Sequence, residues 1–180
     1  MKKFLFIILI AIINNITTAG QNAIEFLGIP VDGSREEMVR NIISKGFKYH
    51  DYSVVDGLIG EFNGEDVVIR LETVNNKVYR INISETTLRN RSEAKIHFND
   101  MYKQFMNSGK YTLAWGKPID DNVDITYEMN AFGKQFDVGF KPKDKSVNGR
   151  VWYSLVKICG RYSIVIYYEN LDNAANGNEL

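Results

Sequence analysis

The side chains best suited to chemistry in this chain are two histidines, one cysteine and scattered carboxylates. His50 stands beside Asp51 in Tyr49-His50-Asp51-Tyr52. A base with an acid to orient it is a catalytic arrangement, but adjacent residues point apart and no nucleophile motif accompanies them. His97 is too distant in sequence to complete an HxxxH or HExxH pair. It borders an apolar helical stripe, the place of a structural histidine. Cys159 lies between Lys157 and Arg161. Such neighbours lower a thiol's pKa, yet nothing else supports reactivity, and a buried, inert thiol is the expectation. Asp120, Asp121 and Asp124 lack the ligand ladder of an EF-hand, and the run from Asp172 to Gly177 has Ala174 at the third position. No G-x-S-x-G elbow, Walker loop or dinucleotide fingerprint occurs. The sequence therefore assigns no catalytic residue, no metal ligand and no cofactor.

Trp152 and Tyr167 offer a different chemistry. They fall in two apolar runs, Val151 to Cys159 and Tyr162 to Asn170. A type II′ turn at Gly160-Arg161 pairs Tyr153 with Tyr168, Leu155 with Ile166 and Cys159 with Tyr162. That face is assigned to the core. The opposite face, with Trp152, Val156, Ile158, Val165 and Tyr167, is apolar too. Either the hairpin is central, or the second face leaves an aromatic patch in water, a common mark of a binding surface. Trp152 and Tyr167 are thus the candidate binding residues, able to stack on sugars or anchor a protein interface.

The elements that must position them follow from periodicity. Ile24 to Pro30 reads as an extended segment. Asp32-Gly33 turns the chain, and Ser34 with Glu37 forms a capping box. Met38, Val39, Ile42 and Ile43 share a face of a helix over Arg35 to Lys45, with Gly46 beyond its end. Leu58 to Phe62 and Glu65 to Thr73 flank Asn63-Gly64, a type I′ hairpin signal. For the next turn, a two-residue loop at Asn75-Asn76 pairs Leu71 with Arg80. A three-residue loop over Val74 to Asn76 pairs Leu71 with Tyr79 and Ile69 with Ile81. A one-residue slip exchanges faces, so the apolar pattern favours the longer loop.

A second helix spans Glu93 to Asn107, with Ala94, Phe98, Met101 and Phe105 as its stripe. Tyr111 to Pro118 is ambiguous. Val123, Ile125, Tyr127 and Met129 alternate with polar residues and read as a strand, as do Phe136, Val138 and Phe140. Lys141 to Gly149 is a basic, exposed connection. The resulting fold class is α+β: antiparallel meanders with two helices packed on one face, arranged as a pseudo-repeat of an αβββ unit.

Lys2 and Lys3 precede an unbroken apolar run of ten residues, Phe4 to Ile13, and small residues follow at Ala19 and Gly20. This is the pattern of a secretory signal peptide over residues 1–20. Ten helical residues reach only ~15 Å, about half a bilayer's hydrocarbon core. No membrane anchor is therefore expected after cleavage. Residues 21–170 read as one α+β domain and 171–180 as a flexible tail. Losing Lys2 and Lys3 leaves 20 basic against 22 acidic side chains, a net charge of −2. That balance gives no field for nucleic acid.

The opening Phe26-Leu27-Gly28-Ile29-Pro30-Val31-Asp32-Gly33-Ser34, followed by Lys45-Gly46-Phe47, resembles small exported Bacteroidetes proteins of unknown function that begin F-x-G-I-P-x-D-G. The closing Tyr167 to Asn173, with Asn176-Gly177 and Leu180, is similar to their ending. The resemblance implies export and an α+β domain, and carries no catalytic residues with it. In outline, the helix-plus-meander repetition is also similar to the β-lactamase inhibitor protein fold, a likeness that fixes no function. The expected function is an exported, non-catalytic binding protein, periplasmic or secreted, with a protein or glycan partner. The alternative is a glycan-directed hydrolase using carboxylates brought together by folding.

Overall fold

The computed structural model describes residues 22–49 and 57–175. The expected leader, the His50–Asp51 pair and residues 176–180 lie outside them. The first elements are two short strands, β1 (Glu25–Phe26) and β2 (Ile29–Pro30). Leu27 and Gly28 both take positive φ, 54° and 73°, so the expected extended segment is instead a tight hairpin. Helix α1 (Arg35–Ser44) begins where Ser34 accepts a 3.2 Å hydrogen bond from the Glu37 amide, and it buries Met38 and Ile42.

The first meander is β3 (Lys48–Tyr49), β4 (Leu58–Phe62), β5 (Glu65–Val74) and β6 (Lys77–Glu85). Asn63 and Gly64 form the expected turn, with φ of 55° and 79°. At the next turn the structure departs from both registers read from the sequence. Asn75 and Asn76 make a two-residue loop with φ of 49° and 62°, and a bulge follows at Glu72/Thr73. The extra residue carries the register on, so that Leu71 pairs with Ile81 and Ile69 with Ile83. The apolar residues reach the correct face because the bulge restores what the short turn would have reversed.

Helix α2 (Arg91–Asn107) starts two residues earlier than expected because Asn90 and Glu93 form a reciprocal capping box. Ala94, Phe98 and Met101 are buried along its stripe. The ambiguous segment is an edge strand, β7 (Tyr111–Trp115). The expected strand around Ile125 is instead a helix, α3 (Ile125–Phe132). Asp124 caps it through the Tyr127 amide, and Gly133 ends it at φ 62°. Ile125, Met129 and Phe132 satisfy helical spacing as well as alternation does, and the cap decides between them. Strands β8 (Phe136–Pro142), β9 (Gly149–Ile158) and β10 (Arg161–Asn170) complete the second meander.

The last hairpin turns at Cys159-Gly160, both at positive φ (48° and 80°), rather than at Gly160-Arg161. It is therefore a type I′ turn. Tyr153 pairs with Ile166 and Leu155 with Ile164, two residues from the expected register and on the same face. Cys159, expected to be buried, is exposed at the tip. The first part of the expected flexible tail is a short helix, α4 (Leu171–Ala175). Its buried Asn173 donates to the Val78 carbonyl at 2.8 Å and to Asp32 at 2.9 Å.

The main sheet runs β3-β4-β5-β6-β10-β9-β8-β7, antiparallel throughout. Read from either edge, each half is a four-stranded meander ending at the centre, where β6 and β10 pair. A helix precedes each meander, α1 in one half and α2 in the other. The expected repeat therefore has four strands per unit, with α3 inserted in the second. One face of the sheet carries Val67, Ile69, Ile81, Ile83, Ile164, Ile166, Val151, Tyr153, Val138 and Phe140, all buried in one continuous core. The helices pack on this side. Phe98 of α2 meets Tyr153 edge-to-face at 4.8 Å, and the Tyr153 hydroxyl donates to the Phe98 carbonyl.

Candidate functional site

The other face of the sheet holds Trp152 and Tyr167. Because side chains alternate along every strand, residues opposite one another line up in rows across the sheet. One row runs Arg70, Asn82, Tyr167, Trp152, Gly139 and Trp115, over six strands from β5 to β7. The adjacent row runs Glu72, Arg80, Glu169 and Arg150 over four. The two rows lie one pleat repeat apart, roughly 7 Å. An aromatic line and a line of alternating charge thus run side by side.

In the aromatic row, Trp152 and Tyr167 stack with ring centres 4.6 Å apart and planes at 11°. Both are half-buried. Trp115 joins them by lying over Gly139, where a β-carbon would fall 2.2 Å from its ring. Its indole N–H donates to Asp137 at 2.5 Å. Glycine inside a strand commonly marks such a close approach. Burial pushes the Tyr167 phenol above its ordinary pKa, which keeps it neutral.

In the charged row, Glu169 is almost wholly buried. It accepts from Arg80 Nη2 at 2.6 Å and also pairs with Arg150. The same two guanidiniums approach the Trp152 indole, with Cζ atoms 5.3 and 5.0 Å from its ring centre. They therefore tie the two rows together by cation–π contact. Arg80 also pairs with Glu72 at 3.1 Å, and Tyr79 and Asn82 donate to that carboxylate. Burial opposes ionisation of Glu72. The hydrogen bonds from Tyr79 and Asn82 and the Arg80 charge outweigh it and hold the carboxyl below its usual range.

Sequence reasoning singled out Trp152 and Tyr167 from the doubly apolar hairpin, and the structure brings them together. It missed Trp115, Gly139, Arg80, Arg150 and Glu169. Alternation within β6 and β10 puts Arg80 and Glu169 on the outer face, but nothing local reveals that these two strands are neighbours.

Of the other candidates, His97 and Asp124 have structural partners. His97 Nε2 meets the buried Glu85 carboxylate at 2.8 Å, and Arg89 joins Glu85 to Glu65. This cluster fastens α2 to the end of β6. Asp124 caps α3 and pairs with Arg91 at 2.6 Å. Among the described residues, no group of three or more His, Cys, Asp or Glu is placed to hold a metal ion, and no helix is long and apolar enough to cross a membrane. Comparison with known proteins finds no matching family model, no matching curated protein and no matching solved structure.

Proposed function

We propose that this is an exported, non-catalytic binding protein that engages another protein through the outer face of its sheet. The observation that carries the reading is the half-exposed row of Trp115, Trp152 and Tyr167 with Arg80 and Arg150 beside it. Tryptophan, tyrosine and arginine are the residues most often dominant in protein interfaces. A rigid sheet also presents them with little ordering cost on binding. A glycan is less well served, since stacking on a sugar needs a free ring face and Trp152 already spends one on Tyr167. Export is supported by the leader composition, Lys2-Lys3, the apolar run to Ile13, and Ala19-Gly20. The compartment is then the periplasm or the medium.

The hydrolase reading needs a carboxyl kept protonated as a general acid. On this face Glu72 is instead held ionised, and Glu169 is occupied by two guanidiniums. Two measurements test the proposal. N-terminal sequencing of protein recovered from the envelope or medium should begin near residues 20–22; intact Met1 on cytosolic protein would refute export. A pull-down from the same fractions, run beside a glycan array, should recover a partner that is lost with Trp152→Ala/Tyr167→Ala. Retention of the partner by that folded variant removes the sheet face from the interface.

A further inference from the structure

The two edges of the main sheet are not alike. At one, β3 has two residues and carries Lys48, a common way of blunting an edge. At the other, β7 runs from Tyr111 to Trp115 with no charged residue and no proline, and Thr112, Leu113 and Ala114 are exposed. The Lys143 amide donates to the Lys110 carbonyl at 2.9 Å, so these opposed residues are a hydrogen-bonded pair. Bonded and unbonded pairs alternate along an antiparallel ladder. Thr112–Lys141 is therefore the next bonded pair, with the unbonded pairs Tyr111–Pro142 and Leu113–Phe140 on either side of it. Pro142, which has no N–H to give, suits an unbonded position. The N–H and C=O groups of Tyr111 and Leu113 consequently point away from β8, toward the free edge. A bulge between Leu113 and Trp115 ends this regular stretch.

Side-chain alternation and charge select what a further strand would carry. Phe140 faces the core, so Lys141, one residue along, faces outward beside Arg150. Lys110 and Lys143 stand at the start of β7. Among the described residues the lysines in ion pairs are Lys103, Lys117 and Lys134, and not Lys110, Lys141 or Lys143. Asp144, the carboxylate of the β8–β9 connection, is turned onto the Ser146 amide and hydroxyl at 2.9 and 2.7 Å. On the inner side, Leu113 is 40 % exposed next to the buried Phe140. Carboxylates on one face of an added strand would meet these lysines, and an apolar residue on its other face would cover Leu113.

A second copy is a poorer occupant. The self-pairing that uses both outward residues is centred on Thr112, and it sets Lys141 and Arg150 of each copy in one row of like charge. A polyanion without amides offers the exposed backbone no ladder. We propose, on the reading that the sheet engages another protein, that β7 receives an extended acidic segment of that partner as an additional strand, its carboxylates alternating with apolar residues.

The test titrates a blocked peptide of alternating glutamate and valine into the isotope-labelled protein, read by amide NMR. Binding is saturable, and the Tyr111 and Leu113 amides shift most and gain protection from hydrogen exchange. Directly opposed residues share a face, so the valine amides are the ones that meet β7. Methylating those nitrogens weakens binding by about tenfold or more, the worth of two neutral hydrogen bonds. Leu113→Pro removes one outward donor at an edge position that tolerates proline. It weakens binding by about fivefold or more with an unchanged circular dichroism spectrum. Lys141→Gln/Lys143→Gln weakens binding by about three- to tenfold, the worth of two exposed ion pairs, and flattens its salt dependence. That surface variant keeps the test decisive if the proline variant fails to fold. Absence of saturable binding, equal binding of the methylated peptide, or equally strong binding of heparin at the same amides overturns the proposal. Concentration-dependent protection of the Tyr111 and Leu113 amides in the protein alone puts a second copy at the edge and overturns it too. A native partner lost with Trp152→Ala/Tyr167→Ala but kept by Leu113→Pro and by the lysine variant leaves the sheet-face reading standing and removes the edge.

Discussion

The indole of Trp115 lies directly over Gly139 on the neighbouring strand, so closely that a β-carbon at residue 139 would sit 2.2 Å from ring atoms. Gly139 is thereby the condition for Trp115 to join the row of Trp152 and Tyr167. Gly139→Ala must displace the ring, breaking its hydrogen bond to Asp137. The expected cost is about 1–3 kcal/mol, typical of overpacking, with a red-shifted tryptophan emission. Urea unfolding and fluorescence check both. An unchanged spectrum would show that the indole does not depend on this gap.

Trp152 and Tyr167 are half-buried and stacked. Each alanine substitution should cost less than about 3 kcal/mol, because full burial is what makes aromatic truncations cost more. A double-mutant cycle should return a coupling of about 0.5–1.5 kcal/mol, the worth of an aromatic pair beyond its buried area. Additivity of the two losses would argue against direct stacking.

Glu169 has a side chain only 2 % exposed and two cationic partners. Replacing Arg80 or Arg150 alone with Met leaves one partner in place. Replacing both strands a buried carboxylate, for which about 3–5 kcal/mol is expected. The double variant should therefore lose more stability than the sum of the singles, measured by denaturant titration. Simple additivity would mean the arginines do not share this acid.

The pH dependence has two limbs. Burial raises the phenol pKa values of Tyr153 and Tyr168 in the folded protein. Their contribution is complete below the unfolded value of about 10 and is lost as pH rises above it. Tyr153→Phe should flatten that alkaline decline. At the acid end, the lowered pKa of Glu72 contributes stability above about pH 4.5, lost as pH falls further. Tyr79→Phe removes one hydrogen bond that lowers it and should make the acid limb shallower. Thermal melts between pH 3 and 11 resolve both limbs.

Periodicity and turn chemistry made much of the fold legible. The stripe on α2, the Ser34 cap and the Asn63-Gly64 turn are local signals, and each produced the expected element. Where local signals were degenerate, the reading went astray. Ile125 to Phe132 fits two periods, and the Asp124 cap with Gly133 selected the helix. Cys159 takes a left-handed conformation that glycine usually supplies, so the turn moved by one residue.

On β8, β9 and β10 the sequence alone determined which residues face inward, because alternation is a property of neighbouring positions. It also marked the Trp152–Tyr167 hairpin as apolar on both faces. Only the tertiary structure decided which strands meet at the centre, since pairing between β6 and β10 joins residues more than 80 positions apart. That single junction places Arg80 beside Glu169 and extends the aromatic row toward β5.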